Sequence, residues 1–201
     1  ADKVEEIRAA MKQRSADVLV LAALDEVAWL LNVRGSDVDF NPVVLSYVIV
    51  THDTVRWYVC ADKVTDDVRQ HLGDAVQVLP YEQIFDDLKN VPASHHVWLD
   101  GAKSTLALLD QIPHAHRIDE NSPVAIPKAI KNDAEVAGFK ECSLRDSVAL
   151  VNFFSWLEAY LSDPASPPIN EVQASDRLLE FREYVSFVRS FVAHAQTCNH
   201  L

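Results

Sequence analysis

Apolar positions change their period several times along the chain. Across Lys3–Arg14, Val4, Ile7, Ala10 and Met11 fall on one helical face with charge on the other. Asp17-Val18-Leu19-Val20-Leu21-Ala22 is then almost continuously apolar, as in a strand covered on both sides. Leu24-Asp25-Glu26 reads as a helix start, although Val27–Val33 is too short for its period to separate helix from strand. A polar loop, Arg34–Pro42, leads to two β-rich runs, Val43–Val50 and Val55–Cys60, joined through Thr51-His52-Asp53-Thr54 as a hairpin. Helices are predicted over Asp62–Leu72 (ended by Gly73), Tyr81–Lys89 and Lys103–Gln111, and strands over Val76–Leu79, His96–Leu99 and Ala115–Ile118. Such alternation predicts an α/β fold, a mixed β-sheet flanked by helices.

From Asp133 the pattern turns helical. One long helix is predicted from Ala134 to about Leu161, interrupted only by Gly138. After the proline-rich Asp163–Pro168, a second helix is N-capped by Asn170 with Glu171 in its first turn. The reading is therefore two domains, 1–130 and 131–201, the second a C-terminal helical pair. The stretch 147–161 is apolar on more than one face: Val148, Leu150, Val151, Phe153, Phe154, Trp156, Leu157, Tyr160 and Leu161 leave little room for a solvated side. The second helix adds Leu178, Leu179, Phe181, Tyr184, Val185, Phe187, Val188 and Phe191. An all-round apolar helix needs cover, so a homo-oligomer through helices 147–161 and 174–192 is expected, with Phe153, Phe154, Trp156, Leu157, Phe181, Tyr184 and Phe187 as the contact residues.

Charge narrows the partners. Eighteen basic residues against thirty acidic ones give −12, with no Lys/Arg cluster, which speaks against nucleic acid and anionic membrane. No run of 18 apolar residues exists to form a transmembrane helix. Cys60, Cys142 and Cys198 are too far apart for a metal knuckle or disulfide framework; Cys60 and Cys142 are expected as buried, reduced residues of a cytoplasmic protein. The start at Ala1, without Met, reads as processing or excision from a longer polypeptide.

Candidate chemistry is sparse. Four glycines, at 35, 73, 101 and 138, make neither a P-loop nor a dinucleotide fingerprint, and no Gly-x-Ser-x-Gly elbow occurs. His114-Ala115-His116 would place two imidazoles on one face of a strand, but no third ligand supports a metal site. His194, Cys198 and His200 read as a frayed terminus. Arg34, Gly35 and Asp37 stand out among polar residues. As a structural turn, Gly35 takes a positive φ, Asp37 caps locally and Arg34 pairs with a carboxylate.

Three stretches, in order, resemble Xaa-Pro aminopeptidases of the cytosolic three-domain kind. They are Leu24-Asp25-Glu26-Val27-Ala28-Trp29-Leu30-Leu31-Asn32-Val33-Arg34-Gly35-Ser36-Asp37; Asn41-Pro42-Val43 with Ser46–Thr51; and Lys131–Glu135 with Arg145–Val151 and Phe153–Glu158. The resemblance implies that residues 1–130 are the middle, creatinase/prolidase N-terminal-like domain, and 131–201 the helical start of a truncated pita-bread catalytic domain. It implies a parent that removes the N-terminal residue preceding proline with a divalent metal pair, manganese or zinc. It also makes Arg34, Gly35 and Asp37 a loop towards the active-site mouth or a dimer neighbour, substrate-positioning or structural. No residue here matches the family's metal ligands, so no catalytic residue, metal site or cofactor is expected on this chain, which is expected to be inactive alone. An interaction module that pairs with the full-length enzyme, or part of a prolidase- or creatinase-like relative, are the alternatives. The tail 189–201 departs from the family, through truncation, an alternative transcript or a frame change.

Overall fold

The computed structural model describes residues 2–184. The chain divides into two compact units, the first ending at Ile130 and the second beginning at Lys131. The first opens with α1 (Asp2–Gln13), whose apolar stripe buries Ile7 and Met11 completely. It then forms β1 (Val18–Leu21), α2 (Leu24–Leu31), β2 (Ser46–Thr51), β3 (Val55–Val59), α3 (Asp66–Leu72), β4 (Gln77–Leu79), α4 (Gln83–Lys89), β5 (Val97–Leu99), α5 (Leu106–Leu109), β6 (Arg117–Asp119) and α6 (Ala125–Ala129).

The six strands make one sheet in the order β4-β3-β2-β1-β5-β6. β1, β2 and β3 are antiparallel neighbours, with Leu19 opposite Val50 and Val48 opposite Trp57, whereas β5 and β6 continue parallel to β1. Alternation along the strands divides the core between two faces. Leu19, Leu21, Val48, Val50, Trp57 and Val59 pack with Ile7, Met11, Val27, Leu30 and Leu31 of α1 and α2. Val18, Val20, Ile49, Tyr58, Val97 and Leu99 pack with Ile84, Leu88 and Leu108 of α4 and α5. Covered on both sides, β1 has no polar face, which is why its sequence is an unbroken apolar run.

Several elements are shorter than their apolar patterns. Predicted helix 62–72 splits into a 3-10 turn (Ala61–Lys63) and α3, because Thr65 accepts from the Val68 N–H and restarts the helix. Gly73 ends α3 at φ 57°, as its position predicts. The first residues of the expected strand 43–50 belong to the preceding loop, and β2 starts at Ser46.

In the second unit α7 (Asp133–Ser162) runs unbroken through Gly138 and packs with α8 (Glu171–Tyr184). Each start carries a reciprocal cap. Asn132 accepts from the Glu135 N–H while Glu135 reaches back to the Asn132 N–H, and Asn170 and Gln173 repeat the exchange at 2.9 and 3.0 Å. Ala149 and Phe153 are buried, and Phe153 meets Phe181 edge-on with ring centres 6.2 Å apart. Arg182 holds Asp146 across the pair at 2.7 Å. The opposite side of α7 stays open, with Val151 67% and Phe154 59% exposed.

Candidate functional site

The loop between α2 and β2 is the best-constructed polar feature of the first unit. α2 ends on Asn32 in the left-handed region, φ 52° and ψ 45°, with its N–H and that of Val33 both on the Ala28 carbonyl. Arg34 then turns its guanidinium back onto the same helix end, donating to the carbonyls of Ala28 at 3.2 Å and Val33 at 2.9 Å. Arg34 thus folds back over the end of α2 through nearby backbone carbonyls, rather than pairing with a carboxylate as the turn reading has it; its positive charge is favoured at a helix C-terminus.

Beyond Arg34 the chain runs out and back as a narrow ribbon. Gly35 N–H donates to Pro42 O at 3.4 Å, Asp37 N–H to Val43 O at 3.2 Å, and Asn41 N–H to Val38 O at 3.1 Å across the tip. Gly35 is not at positive φ, which corrects the turn reading. Its reason is close approach: a Cβ there would sit 2.8 Å from Val44 Cβ and 2.9 Å from the Val43 carbonyl oxygen. Asp37 does more than cap locally. Its Oδ2 accepts from the Leu45 N–H at 2.8 Å and from Lys63 Nζ at 2.6 Å, pinning both arms of the ribbon to the 3-10 turn beyond β3. Burial alone would raise the Asp37 carboxyl, but those hydrogen bonds and the lysine charge outweigh it and hold it below its ordinary value. The three loop residues singled out in the sequence therefore lie together, and each ties down backbone.

A second polar cluster was not singled out. Glu26 lies within α2 with its side chain 3% exposed, and Lys103 Nζ donates to its Oε1 at 2.6 Å. Asp100, at the end of β5, approaches the same ammonium at 3.6 Å and accepts from the N–H groups of Ala102 and Ser122. The hydrogen bond to Glu26 and the surrounding carboxylates raise the Lys103 pKa against its desolvation. The pair ties α2 to the carboxyl end of β5. Its signal was in the sequence: Glu26 is four residues from Leu30, on the buried stripe of α2.

The remaining candidates disperse. His114–His116 form one 3-10 turn and β6 starts only at Arg117, so the two imidazoles share no strand face; His116 instead lies near His96, ring centres 6.4 Å apart. Cys60 is exposed, because it stands at the exit from β3 where the chain leaves the sheet, and Cys142 is half-buried on α7, which has only one packed stripe; neither is a core residue. Of the expected helix-contact residues, Phe153 is buried, Trp156, Leu157 and Phe181 are half-buried and Phe154 is exposed. Tyr184 is the last described residue, while Phe187, the tail 189–201 and the rest of helix 174–192 lie outside the described residues. Among the described residues, no group of three or more His, Cys, Asp or Glu is placed to hold a metal ion. No described helix is long and apolar enough to cross a membrane.

Comparison with known proteins gives this arrangement a context. Residues 1–135 match the family model described as the creatinase/prolidase N-terminal domain. The chain is 40% identical over 187 residues to the Xaa-Pro aminopeptidase ApepP of Drosophila melanogaster, covering 90% of this chain and 30% of the relative. It is 38% identical over 183 residues to Xaa-Pro aminopeptidase 1 of Dictyostelium discoideum, with 90% and 29% covered. Among solved structures it is similar to an X-prolyl aminopeptidase from Caenorhabditis elegans, described as a cytosolic enzyme with a di-nuclear active site: TM-score 0.80, 33% identity, 90% of this chain and 30% of that one. The chain thus spans about three tenths of the length of the relatives it matches.

Proposed function

The chain belongs to the creatinase/prolidase N-terminal domain family, and from that premise we propose that it is a non-catalytic section of a metal-dependent Xaa-Pro aminopeptidase. Residues 1–130 are the middle domain and residues from 131 the opening helices of the catalytic domain. The observation that carries this reading is the 37–40% identity to Xaa-Pro aminopeptidases along nine tenths of the chain, which runs past the family match at residue 135. In this role the ribbon at Arg34, Gly35 and Asp37 positions substrate or a neighbouring surface, and the metal pair is held elsewhere in the longer polypeptide, which acts in the cytoplasm. An Xaa-Pro peptide incubated with the purified chain and manganese, with bound metal quantified, should give no released N-terminal residue and no stoichiometric metal. Manganese-dependent release would overturn the non-catalytic reading.

A second reading concerns partners. The open side of α7, with Val148, Val151, Phe154 and Leu161 exposed, supports self-association of the chain through its C-terminal helices, or pairing with the full-length enzyme. Light scattering at micromolar concentration should give more than the mass of one chain, and Phe154→Glu should lower it. A single-chain mass for the unaltered protein, with no co-purification of the intact enzyme, would remove this reading.

A further inference from the structure

Two seams run along α7, and α8 fills one of them. Asp146, Ala149, Phe153 and Trp156 recur at intervals of three and four. Ala149 and Phe153 are buried there, and Asp146 and the two rings meet Arg182 and Phe181 of α8. The second seam starts at Ala137 and alternates steps of three and four as far as Leu161, roughly 36 Å of helix at ~1.5 Å per residue. Every residue on it is exposed, and Leu144, Val151 and Leu161 are each about two-thirds open. That strict alternation has the ~3.5-residue period of a seam between paired helices, narrower than the stripe by which a surface helix meets a core.

The seam is not uniformly apolar, and its two charges decide what fits it. Lys140 and Glu158 stand near its ends, and neither has an ion-pair partner among the described residues. Glu158 is misplaced for the helix itself. It lies close to the C-terminus of α7, the negative end of the dipole, and the last turn has no basic residue to offset it. Reversed end to end about the level of Ala149, the seam complements itself. Lys140 then comes opposite the partner's Glu158, and Leu144 opposite the partner's Phe154. Between and beyond them Ser147 meets Val151 and Ala137 meets Leu161, a small residue against a larger one in each layer. A parallel pair would instead set lysine against lysine and glutamate against glutamate, and like charges in contact are repulsive. Accordingly we propose that the open face of α7 is an isologous, antiparallel interface between two copies of this chain, closed at either end by a Lys140–Glu158 pair. This rests on the self-association reading and gives it an occupant, an orientation and a register.

The test uses the full chain, with Lys140→Glu and Glu158→Lys made separately and masses followed by light scattering across a dilution series at low ionic strength. The unaltered chain should reach about twice the 22.5 kDa of one copy. Each reversal sets like charges against each other at both ends of the interface and should raise the dimer Kd about tenfold. Mixed in equal amounts, the two variants offer each other opposite charges at both ends, so the mixture should recover a Kd within about threefold of the original. Recovery on mixing separates a lost contact from a damaged fold. A single-chain mass for the unaltered protein would overturn this interface and the self-association reading together. A dimer indifferent to both reversals, or one weakened by them and not restored by mixing, would overturn the antiparallel seam and leave self-association through another surface standing.

Discussion

Two strongly apolar stretches of this chain meet opposite fates. Val18–Leu21 is apolar at every position and buried at every position, because α1 and α2 cover one face of the sheet and α4 and α5 the other. Val148–Leu161 is apolar on two sides of α7, yet only Ala149 and Phe153 are buried, because within the second unit α8 packs on one side. Apolar composition therefore states a demand for cover; the number of neighbouring elements decides whether it is met. The first unit is closed by its own elements, and the second leaves a stripe open.

The strongest way to break that contrast is to open a cavity on the closed side. Leu19→Ala, at a fully buried site between helix and sheet, should destabilise the first unit by about 3 kcal/mol. Phe154→Ala on the open side should change stability by less than about 0.5 kcal/mol. Denaturant unfolding of the two variants measures both, and equal losses would mean that α7 is covered on both sides. Next in size is the ion pair that joins α2 to the end of β5. Lys103→Ala strands the buried Glu26 carboxylate and should cost about 2 kcal/mol at neutral pH, less than a fully buried pair because Lys103 is itself 44% exposed. A double-mutant cycle with Glu26→Gln should recover most of that loss.

The contrast can be sharpened at the helix cap and the ribbon. Asn170→Ala removes the acceptor for the Gln173 N–H and should lower the stability of the second unit by about 1 kcal/mol, read from helical ellipticity on heating, without shifting the melting of the sheet. The smallest effect belongs to Asp37. Its pKa lies lower in the folded protein than in the unfolded chain, so its contribution is present above about pH 4 and is lost as the pH falls through the folded-state value. Asp37→Asn should therefore lower the melting temperature at pH 7 by an amount equivalent to less than about 1 kcal/mol and make little difference near pH 2.5. A loss that grew on acidification would contradict the Lys63 contact as its source.

Much of this was legible in the residues, for reasons that differ from element to element. Ile7 and Met11 declare α1 because a single stripe of a helix is buried, and Gly73 marks the end of α3 because left-handed backbone is least strained there. The block from Leu24 to Asp37 identifies the family, but it gives only the order of Arg34, Gly35 and Asp37 and not their partners. Arg34 turns back on nearby carbonyls of Ala28 and Val33, whereas Lys63, 26 residues from Asp37, comes from the way the chain closes on itself. Two histidines spaced as a strand pair, 114 and 116, failed as such because a 3-10 turn delayed the strand by two residues, a shift too small to change the apolar pattern.

The sequence by itself determined most of the helices and strands, the cap at Asn170, the fold class and the family, because each rests on local periodicity, short-range hydrogen bonds or an unbroken string of residues. Tertiary structure alone decided the strand order β4-β3-β2-β1-β5-β6, the meeting of Glu26 with Lys103 77 residues away, the pinning of Asp37 and the exposure of one side of α7. Those depend on which distant surfaces come together, and an apolar or charged side chain specifies what it needs without specifying which neighbour will supply it.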